Sequence, residues 1–381
     1  MKRIFAFLML FMLNWGLFAG GGQDKTTAKP EVNVWASGSD NVRMIFEKLV
    51  DAFNKNPQYN KDFTMVLQFI ASGGGTQSIE NRVLAAYQAG QKNTTFDIIE
   101  VGDTQMTVFL QEGGPGLLQR FDPSKIPNLA GVSARPVMGA EYYVPCRGTT
   151  VLMAYNSDVI TNPPKTTAEL TRWIKEHPAR FAYNSPDTGG AGGSFVSTAV
   201  YNFLPRESLM SSDEKWVSRW DQGFGYLKEI HPYLYKSSGR VVYPNKNQGT
   251  LDLLNSREID MTPAWADMAI SGIKNGSLPK SIKIYQIEPA FTGSLMAFCI
   301  PTIGRYPEYA HAFINFMLSP EAQNILLTDM AAIPLIENSK LDPLEAATVK
   351  DLKVDDFRTI SIGSLGTTMN RIWNETIATL P

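Results

Sequence analysis

The chain has 381 residues, of which 44% are hydrophobic and 19% are charged, and it contains 30 Gly and 23 Pro. This composition excludes a disordered, collagenous or low-complexity protein, and the length predicts two domains or one large α/β unit. Lys and Arg number 35 against 37 Asp and Glu, a formal charge of -2 without a long basic run, which argues against a nucleic-acid binder.

Cysteine and histidine usage limits the possible chemistry. Two cysteines are too few for a disulfide-dense scaffold, and the three histidines, His177, His231 and His311, lack metal-ligand spacing. The sequence contains no Gly-x-Ser-x-Gly elbow, His-Glu-x-x-His motif or Ser-His-Asp arrangement. We therefore predict no metal site, no cofactor and no hydrolase chemistry.

The N-terminus has the pattern of a secretory signal. The basic pair Lys2-Arg3 precedes an apolar run at 4–13 and a small-residue exit, which predicts a signal peptide over residues 1–19 and export to the periplasm. A membrane anchor is the alternative, but about 16 residues, interrupted by Asn and Gly, is short for a bilayer span. No lipobox cysteine lies near the cleavage point. Residues 20–30 are small and polar, which predicts a flexible leader.

Strands and helices then alternate along the chain. Strands are predicted to begin at 32, 63 and 96, with a helical pattern after each of the first two, and this βαβαβ order indicates a mostly parallel sheet covered by helices. A long apolar run at 144–156 predicts a buried strand, and a turn at 161–164 opens a second α/β series. The remaining predicted elements are a helix capped by Thr166 with Glu169, a strand at 181–183, a loop at 184–193, a helix from Ser194, a strand at 258–261, a helix at 264–273, extended segments at 282–287 and 294–300, a helix at 309–318 and a helix capped by Ser319.

Two segments resemble the bacterial ABC-transporter extracellular solute-binding proteins. Tyr143-Val144-Pro145, Gly148 and Tyr155-Asn156 resemble the crossover strand of that family, and the run IPTIGRYPEYAHAFINFMLSPEAQ from Ile300 to Gln323 resembles its return strand and helix. The resemblance covers roughly residues 31–336. The branch resembled contains iron, polyamine, thiamine and phosphorylated-solute binders, including a YnjB-like subgroup.

The resemblance implies a two-lobe α/β fold of the type II periplasmic-binding-protein kind, with a ligand cleft between hinge-linked lobes. Lobe 1 would comprise 31–155 and 291–336, lobe 2 would comprise 156–290, and the hinge would lie near residues 156 and 289–293. The tail at 337–381 lies outside the pattern, and its lobe is left open. The implied function is a monomeric component of an ABC importer that delivers a small-molecule solute to a membrane permease paired with an ATPase.

Candidate ligand contacts follow from the rule that ligands of open α/β sheets bind beyond the carboxyl ends of strands. Gly runs before helices allow backbone N–H groups to approach an anion, although they also serve as tight turns. A tryptophan there can stack on a sugar or an organic cation, and an arginine can pair with a phosphate or carboxylate. The candidate ligand-binding residues are Ser37, Gly38, Ser39, Ser72, Gly73, Gly74, Gly75, Thr76, Asp103, Arg147, Asp187, Gly192, Gly193, Ser194, Trp265 and Asp267.

The charge of the ligand stays open at this stage. Two Gly-rich helix starts and Arg147 favour an anionic group. Four acidic residues favour a cation or sugar hydroxyls, namely Asp103, Asp187, Asp267 and Glu288.

Two rival functions also remain. Cys146 and Cys299 fall in strands that the resemblance makes neighbours, so an exported protein can oxidise them to a disulfide. Thiaminase I shares the two-lobe fold and uses a cleft cysteine as nucleophile, and Cys146 occupies a comparable crossover segment. An exported adhesin or sensor with the same lobes is the third class.

Overall fold

The computed structural model describes residues 29–59, 62–71, 78–132, 134, 136, 138–350, 352 and 357–381. The predicted signal peptide, nearly all of the predicted leader and the Gly-rich turn from Ser72 to Thr76 lie outside these residues. Among the described residues, no helix combines the length and the apolar character that crossing a bilayer requires.

The elements alternate between strands and helices over most of the chain. The strands of the described residues are β1 (Glu31–Gly38), β2 (Thr64–Ala71), β3 (Ile98–Val101), β4 (Val144–Asn156), β5 (Lys236–Ser237), β6 (Arg240–Val241), β7 (Met261–Trp265), β8 (Ile282–Tyr285) and β9 (Gly293–Cys299). The helices are α1 (Asp40–Lys55), α2 (Ile79–Gln88), α3 (Asp103–Val108), α4 (Thr167–Glu176), α5 (Gly190–Tyr201), α6 (Asp221–Ile230), α7 (Lys246–Asn255), α8 (Ala266–Asn275), α9 (Pro307–Met317), α10 (Pro320–Met330), α11 (Pro343–Ala346) and α12 (Leu365–Thr376).

One long strand joins two groups of strands. The order of the main sheet is β2-β1-β3-β9-β4-β7, and β8 also pairs with β4. β1 is parallel to β2 and β3, whereas β9 runs antiparallel between β3 and β4. β4 pairs with β9 as far as Thr150, and from Val151 onward it pairs with β7 and then also β8. We call the strands before this change, with β9, the sheet of lobe 1, and the strands after it the sheet of lobe 2.

The core of lobe 1 forms because α1 and α10 are apolar along the faces they turn toward the sheet. Ser319 caps α10 as predicted, since its side chain accepts a hydrogen bond from the N–H of Ala322. The buried residues of α1 are Val42, Ile45, Phe46, Leu49, Val50 and Phe53. Burial of such side chains contributes about 1.5–3 kcal/mol each, so this face holds α1 on lobe 1.

The core of lobe 2 is rich in aromatic residues. Phe181 and Tyr183 pack against Phe195 of α5, and the indole N–H of Trp373 in α12 donates to the hydroxyl of Tyr183 over 3.1 Å. Trp220 is almost fully buried in the same cluster.

Three predicted boundaries of lobe 2 are wrong. The helix predicted from Ser194 begins at Gly190, so Gly192, Gly193 and Ser194 lie inside α5 and not in or after a loop. The strand predicted at 258–261 is β7 and begins at Met261, and the helix predicted at 264–273 is α8 and begins at Ala266. The shift arises because β7 continues through a proline, which the sequence pattern treats as a strand terminator.

The segment after α10 contacts both lobes. Leu341, Ala346 and Val349 pack into the core of lobe 1, whereas α12 packs into the core of lobe 2. Between them, the carbonyl of Arg358 accepts a hydrogen bond from the N–H of Gly293 over 3.0 Å, so this stretch lies against the start of β9. The chain therefore passes between the lobes a third time, in addition to β4 and the β8–β9 connection.

Candidate ligand-binding cleft

The edge of the lobe 1 sheet that faces lobe 2 collects strand ends and helix starts. The parallel strands β1 and β3 end there at Gly38 and Val101, and each leads directly into a helix, α1 or α3. β9 begins at the same edge because it runs antiparallel to β3, which brings Ser294 beside the start of α3. Carboxyl ends of strands and amino ends of helices thus meet in one place, as the ligand-binding rule requires.

Asp103, the first residue of α3, is fixed at this edge by β9. The hydroxyl of Ser294 donates to its Oδ2 over 3.0 Å, and the side chain is only 7% exposed. Burial raises its pKa to about 6, even though the hydrogen bond from Ser294 acts in the opposite direction. Asp103 therefore holds an acidic group at the cleft with a pKa near neutrality.

Lobe 2 contributes the end of β7 and the starts of α5 and α8. Trp265 ends β7 and is half-buried against the first turn of α5. A Cβ atom added to Gly190 would lie 2.7 Å from its Cζ2 atom. The absence of a side chain at Gly190 therefore leaves room for the indole.

Asp267 connects the two lobes. Its Oδ2 accepts a hydrogen bond from Nδ2 of Asn41, in the first turn of α1, over 3.1 Å. The side chain of Ser39 in turn contacts Oδ1 of Asn41. Asp267 is 6% exposed, its Oδ1 is buried without a hydrogen-bond partner among the described residues, and burial raises its pKa. The first turns of α1 and α8 therefore meet through a buried carboxylate.

Arg147 lies below this edge in an ion pair with Glu100. Its Nε donates to Oε1 of Glu100 over 2.9 Å, and the two residues are 4% and 3% exposed. Burial lowers the pKa of Arg147, but the neighbouring Glu100, Cys146 and Asp267 together outweigh that effect and the net pKa is raised. The guanidinium therefore stays charged and is paired within the protein.

The other predicted contacts are divided between the cleft edge and the interior. Ser37 and Gly38 are partly buried at the end of β1, and Gly192 packs against the backbone of Asn184. Ser194 is buried and its hydroxyl accepts a hydrogen bond from the N–H of Thr292 over 2.9 Å, which ties α5 to the return connection. Asp187 is exposed, and its Oδ2 accepts a hydrogen bond from Asn374 of α12.

Comparison with known proteins decides the family. A model of the family described as "Bacterial extracellular solute-binding protein" matches residues 48–353, about four fifths of the chain. The chain belongs to this family. Protein YnjB of Escherichia coli strain K12 is 26% identical over 202 residues, which are 49% of this chain and 48% of that protein, so the match spans about half of this curated relative.

Solved structures share the two-lobe fold of type II over most of their length. An ABC transporter structure from Clostridium perfringens superposes with a TM-score of 0.64 at 17% identity, covering 91% of this chain and 100% of that one. PotD of a spermidine/putrescine transporter from Streptococcus pneumoniae gives 0.65 at 15%, covering 91% and 98%. Ferric ion-binding protein A of Pasteurella haemolytica gives 0.66 at 11%, covering 91% and 97%. The fold predicted from the family resemblance is confirmed.

Sequence reasoning missed several polar residues of this solute-binding protein. Glu100 was read as part of a strand, although a carboxylate inside the apolar run Ile98-Ile99-Glu100-Val101 is a signal for a buried polar role. Asn41 and Ser294 carry no signal of this kind, because surface helices and strands contain such residues routinely. Their contacts depend on the packing of one lobe against the other.

The two cysteines are free and buried on opposite faces of the lobe 1 sheet. Cys146 packs with Phe298 in one hydrophobic cluster, and Cys299 packs with Ile99 in another. The strands are neighbours as predicted, but the two side chains point away from each other, so the structure contains no disulfide between them. Burial raises the pKa of the Cys146 thiol well above its usual range. Within the described residues, no group of three or more His, Cys, Asp or Glu side chains is arranged to hold a metal ion.

Proposed function

We propose that this solute-binding protein captures a small polar solute between its lobes and delivers it to a membrane permease paired with an ATPase. The observation that carries the proposal is that α1 and α8 meet through the hydrogen bond from Asn41 to Asp267, while Ser294 and Thr292, at the start of β9, bind α3 and α5. Membership in the extracellular solute-binding family supports it. The proposal includes export through a signal peptide at 1–19 and a monomeric state.

Binding favours the closed arrangement of the lobes only through contacts made in that arrangement. Asp103 belongs to lobe 1, and Trp265 and Asp267 belong to lobe 2. A solute that touches all three lowers the free energy of the closed state relative to the open one. The permease then recognises the surface that the closed lobes form together.

We propose that the protein binds its solute without transforming it. A thiaminase-like reaction needs a thiolate, and the Cys146 thiol is fully buried with a raised pKa. Its sulfur donates to the carbonyl of Met296 over 3.3 Å and lies 3.8 Å from Oε1 of Glu100, a carboxylate that is already engaged by Arg147 and whose charge raises the thiol pKa further. This environment is that of a structural cysteine of the core.

Mass spectrometry of the natively purified protein tests the function directly. We expect a small molecule to co-purify, to be released unchanged on denaturation and to rebind to the stripped protein, raising its Tm. Asp103→Ala and Trp265→Ala each remove a cleft contact and should weaken rebinding about tenfold or more. Asp252→Ala, on the exposed face of α7, is the matched control and should leave the affinity unchanged.

Two results would contradict the proposal. If both cleft variants rebind the solute as tightly as the wild type, the cleft is not the binding site. If the released compound is a chemically altered product of a compound that was supplied, the protein is an enzyme.

A further inference from the structure

The buried polar atoms around the cleft that lack partners are all hydrogen-bond acceptors. Within the described residues they are Oδ1 of Asp267, Oε2 of Glu100 and Oδ1 of Asn184, the residue on which the start of α5 packs. Asn184 donates both of its amide hydrogens to carbonyls, those of Ser185 and Gly189, which fixes its oxygen as the unpaired atom. Buried acceptors without donors are costly, at about 1–3 kcal/mol each, so a group that donates hydrogen bonds is expected there.

The charged side chains around the cleft also favour a ligand that donates hydrogen bonds. Glu100, Asp103 and Asp267 are buried acids at or just below the edge, whereas Arg147 is the one Lys or Arg that is buried among the described residues. Arg147 pairs with Glu100 and also interacts electrostatically with Asp267. Three buried acids therefore face one buried base, and the residue that favoured an anionic ligand in the sequence is engaged inside the protein.

Helix dipoles do not reverse this balance. Asp103 is the first residue of α3 and Asp267 the second of α8, so the positive end of each helix already faces a carboxylate of its own first turn. At α5, which has no acid in its first turn, the N–H of Ala191 donates to Oδ1 of Asn247 over 3.0 Å. The amino ends of these helices are thus partly occupied by the protein's own oxygens.

We propose that the ligand of this cleft carries a positively charged nitrogen, and that this nitrogen donates hydrogen bonds to Asp267, with Asp103 as the second carboxylate. An ammonium, amidinium or similar cation supplies both the missing donors and the missing charge. The indole of Trp265, two residues before Asp267, adds an aromatic surface that attracts cations. The inference rests on the proposed function, because it names the chemical class of solute that the cleft takes.

Three four-carbon probes with cationic, neutral and anionic end groups test the chemical class of the ligand. We would measure the Tm and the calorimetric affinity of the stripped protein with diaminobutane, butanediol and succinate, at equal ionic strength and about pH 8, above the pKa of about 6 of Asp103. Diaminobutane should raise the Tm in a concentration-dependent way and the other two should not. The charge class of the co-purified solute, read by mass spectrometry, is the second and decisive readout.

Asp267→Asn tests the site. The amide keeps the size of the carboxylate and the contact with Asn41 but removes the charge, so the affinity for the cationic probe or solute should fall about tenfold or more. Asp252→Asn removes one negative charge from the exposed face of lobe 2 and should change nothing. The Tm and circular dichroism of each ligand-free variant show that it is folded.

The outcomes separate the inference from the function on which it rests. If succinate or butanediol binds and diaminobutane does not, or if the co-purified solute is neutral or anionic, the ligand class is wrong while solute binding stands. If Asp267→Asn binds the cation as tightly as the wild type, the site is wrong. If no small molecule co-purifies and none of the probes binds, both the inference and the proposed function fail. A cationic co-purified solute supports the inference when diaminobutane binds or when none of the three probes binds.

Discussion

Asp103 contributes to the cleft and costs stability at neutral pH. Its pKa in the folded protein is about 6, against an ordinary 3.8, because burial disfavours the ionised form. The folded state therefore holds this proton more tightly than the unfolded chain does. The stability contributed by the protonated group is fully present below about pH 4 and is lost as the pH rises through 6.

Asp103→Asn should accordingly stabilise the ligand-free protein at neutral pH. The difference between the two pKa values corresponds to an upper limit of about 3 kcal/mol at pH 7, and the gain should nearly vanish at about pH 4. Urea denaturation across this pH range measures it, with Asp252→Asn as the control that should stay flat. A gain of equal size at both ends of the range would contradict the titration of Asp103 as its source.

At the scale of residues, the sequence predicts where strands end better than it predicts which side chains form hydrogen bonds or ion pairs with each other. The position of Asp103 just beyond a strand end could be read from the pattern of Ile98-Ile99-Glu100-Val101-Gly102, whereas the helix that it begins was not predicted. The pairing of Arg147 with Glu100 could not, because it depends on which strand lies between β3 and β4. Here β9 separates them, and the ion pair reaches across it on one face of the sheet.

Among the elements, α5 shows how glycine can permit close packing instead of a loop. Three of its first four residues are glycines, a composition that lowers helix propensity and led to the wrong prediction of a loop. A Cβ atom at Gly192 would lie only 1.9 Å from the carbonyl oxygen of Asn184. The glycine therefore allows the helix to begin directly on the chain that precedes it.

Gly192→Ala should therefore destabilise the protein by about 1–3 kcal/mol or more, because the start of α5 must move away from Asn184. Gly225→Ala is the matched control, since Gly225 lies on the exposed side of α6 and an added Cβ meets nothing within 4 Å. Alanine should stabilise that helix by about 0.5–1 kcal/mol. Chemical denaturation of both variants gives the comparison, and equal effects at the two sites would contradict the packing explanation.

The strands show the same contrast: β4 could be predicted from local sequence, whereas the bounds of β7 depend on its place in the sheet. β4 was predicted with its observed bounds because a largely apolar stretch there is followed by a turn. β7 was misplaced because Pro263 reads as a breaker. It is tolerated because β7 ends the hydrogen-bonded order of the sheet, where the missing N–H is not needed by a partner on both sides.

At the scale of the whole molecule, Ser361 joins the lobes near the cleft. Its backbone N–H donates to the carbonyl of Leu209 in lobe 2 over 2.8 Å, and its hydroxyl donates to the carbonyl of Asp103 in lobe 1 over 3.2 Å. The hydroxyl also contacts that of Thr107 in α3. Opening the cleft on this side requires these contacts to break.

Ser361→Ala should thus speed the release of the solute. Losing a hydrogen bond worth about 0.5–1.5 kcal/mol in the closed state corresponds to a dissociation rate about 2–10 times faster. Stopped-flow fluorescence can follow the release. Ser364→Ala, three residues further and exposed, is the control. Identical rates in both variants would show that this contact does not restrain the lobes.

The two-lobe architecture could be predicted because the crossover strand and the return helix carry family-like residues. The third passage between the lobes could not, since residues 337–381 lie outside that pattern and their apolar positions fit either lobe. The boundaries at 155/156 and 290/291 remain predictions. The observed strand pairing adds that β4 changes partners between Thr150 and Val151.

The connecting segment that contains Arg358 has a consequence for experiments that cut the chain, insert a domain into it or express one half alone. Three chain segments connect the two halves of the molecule: β4, the β8–β9 connection and the segment that contains Arg358. Cutting any one of them leaves the halves covalently linked by the other two. A reporter domain inserted into one of these segments leaves the halves covalently linked by the other two. Expressing either half alone, by contrast, requires cutting the chain at three places and rejoining what remains.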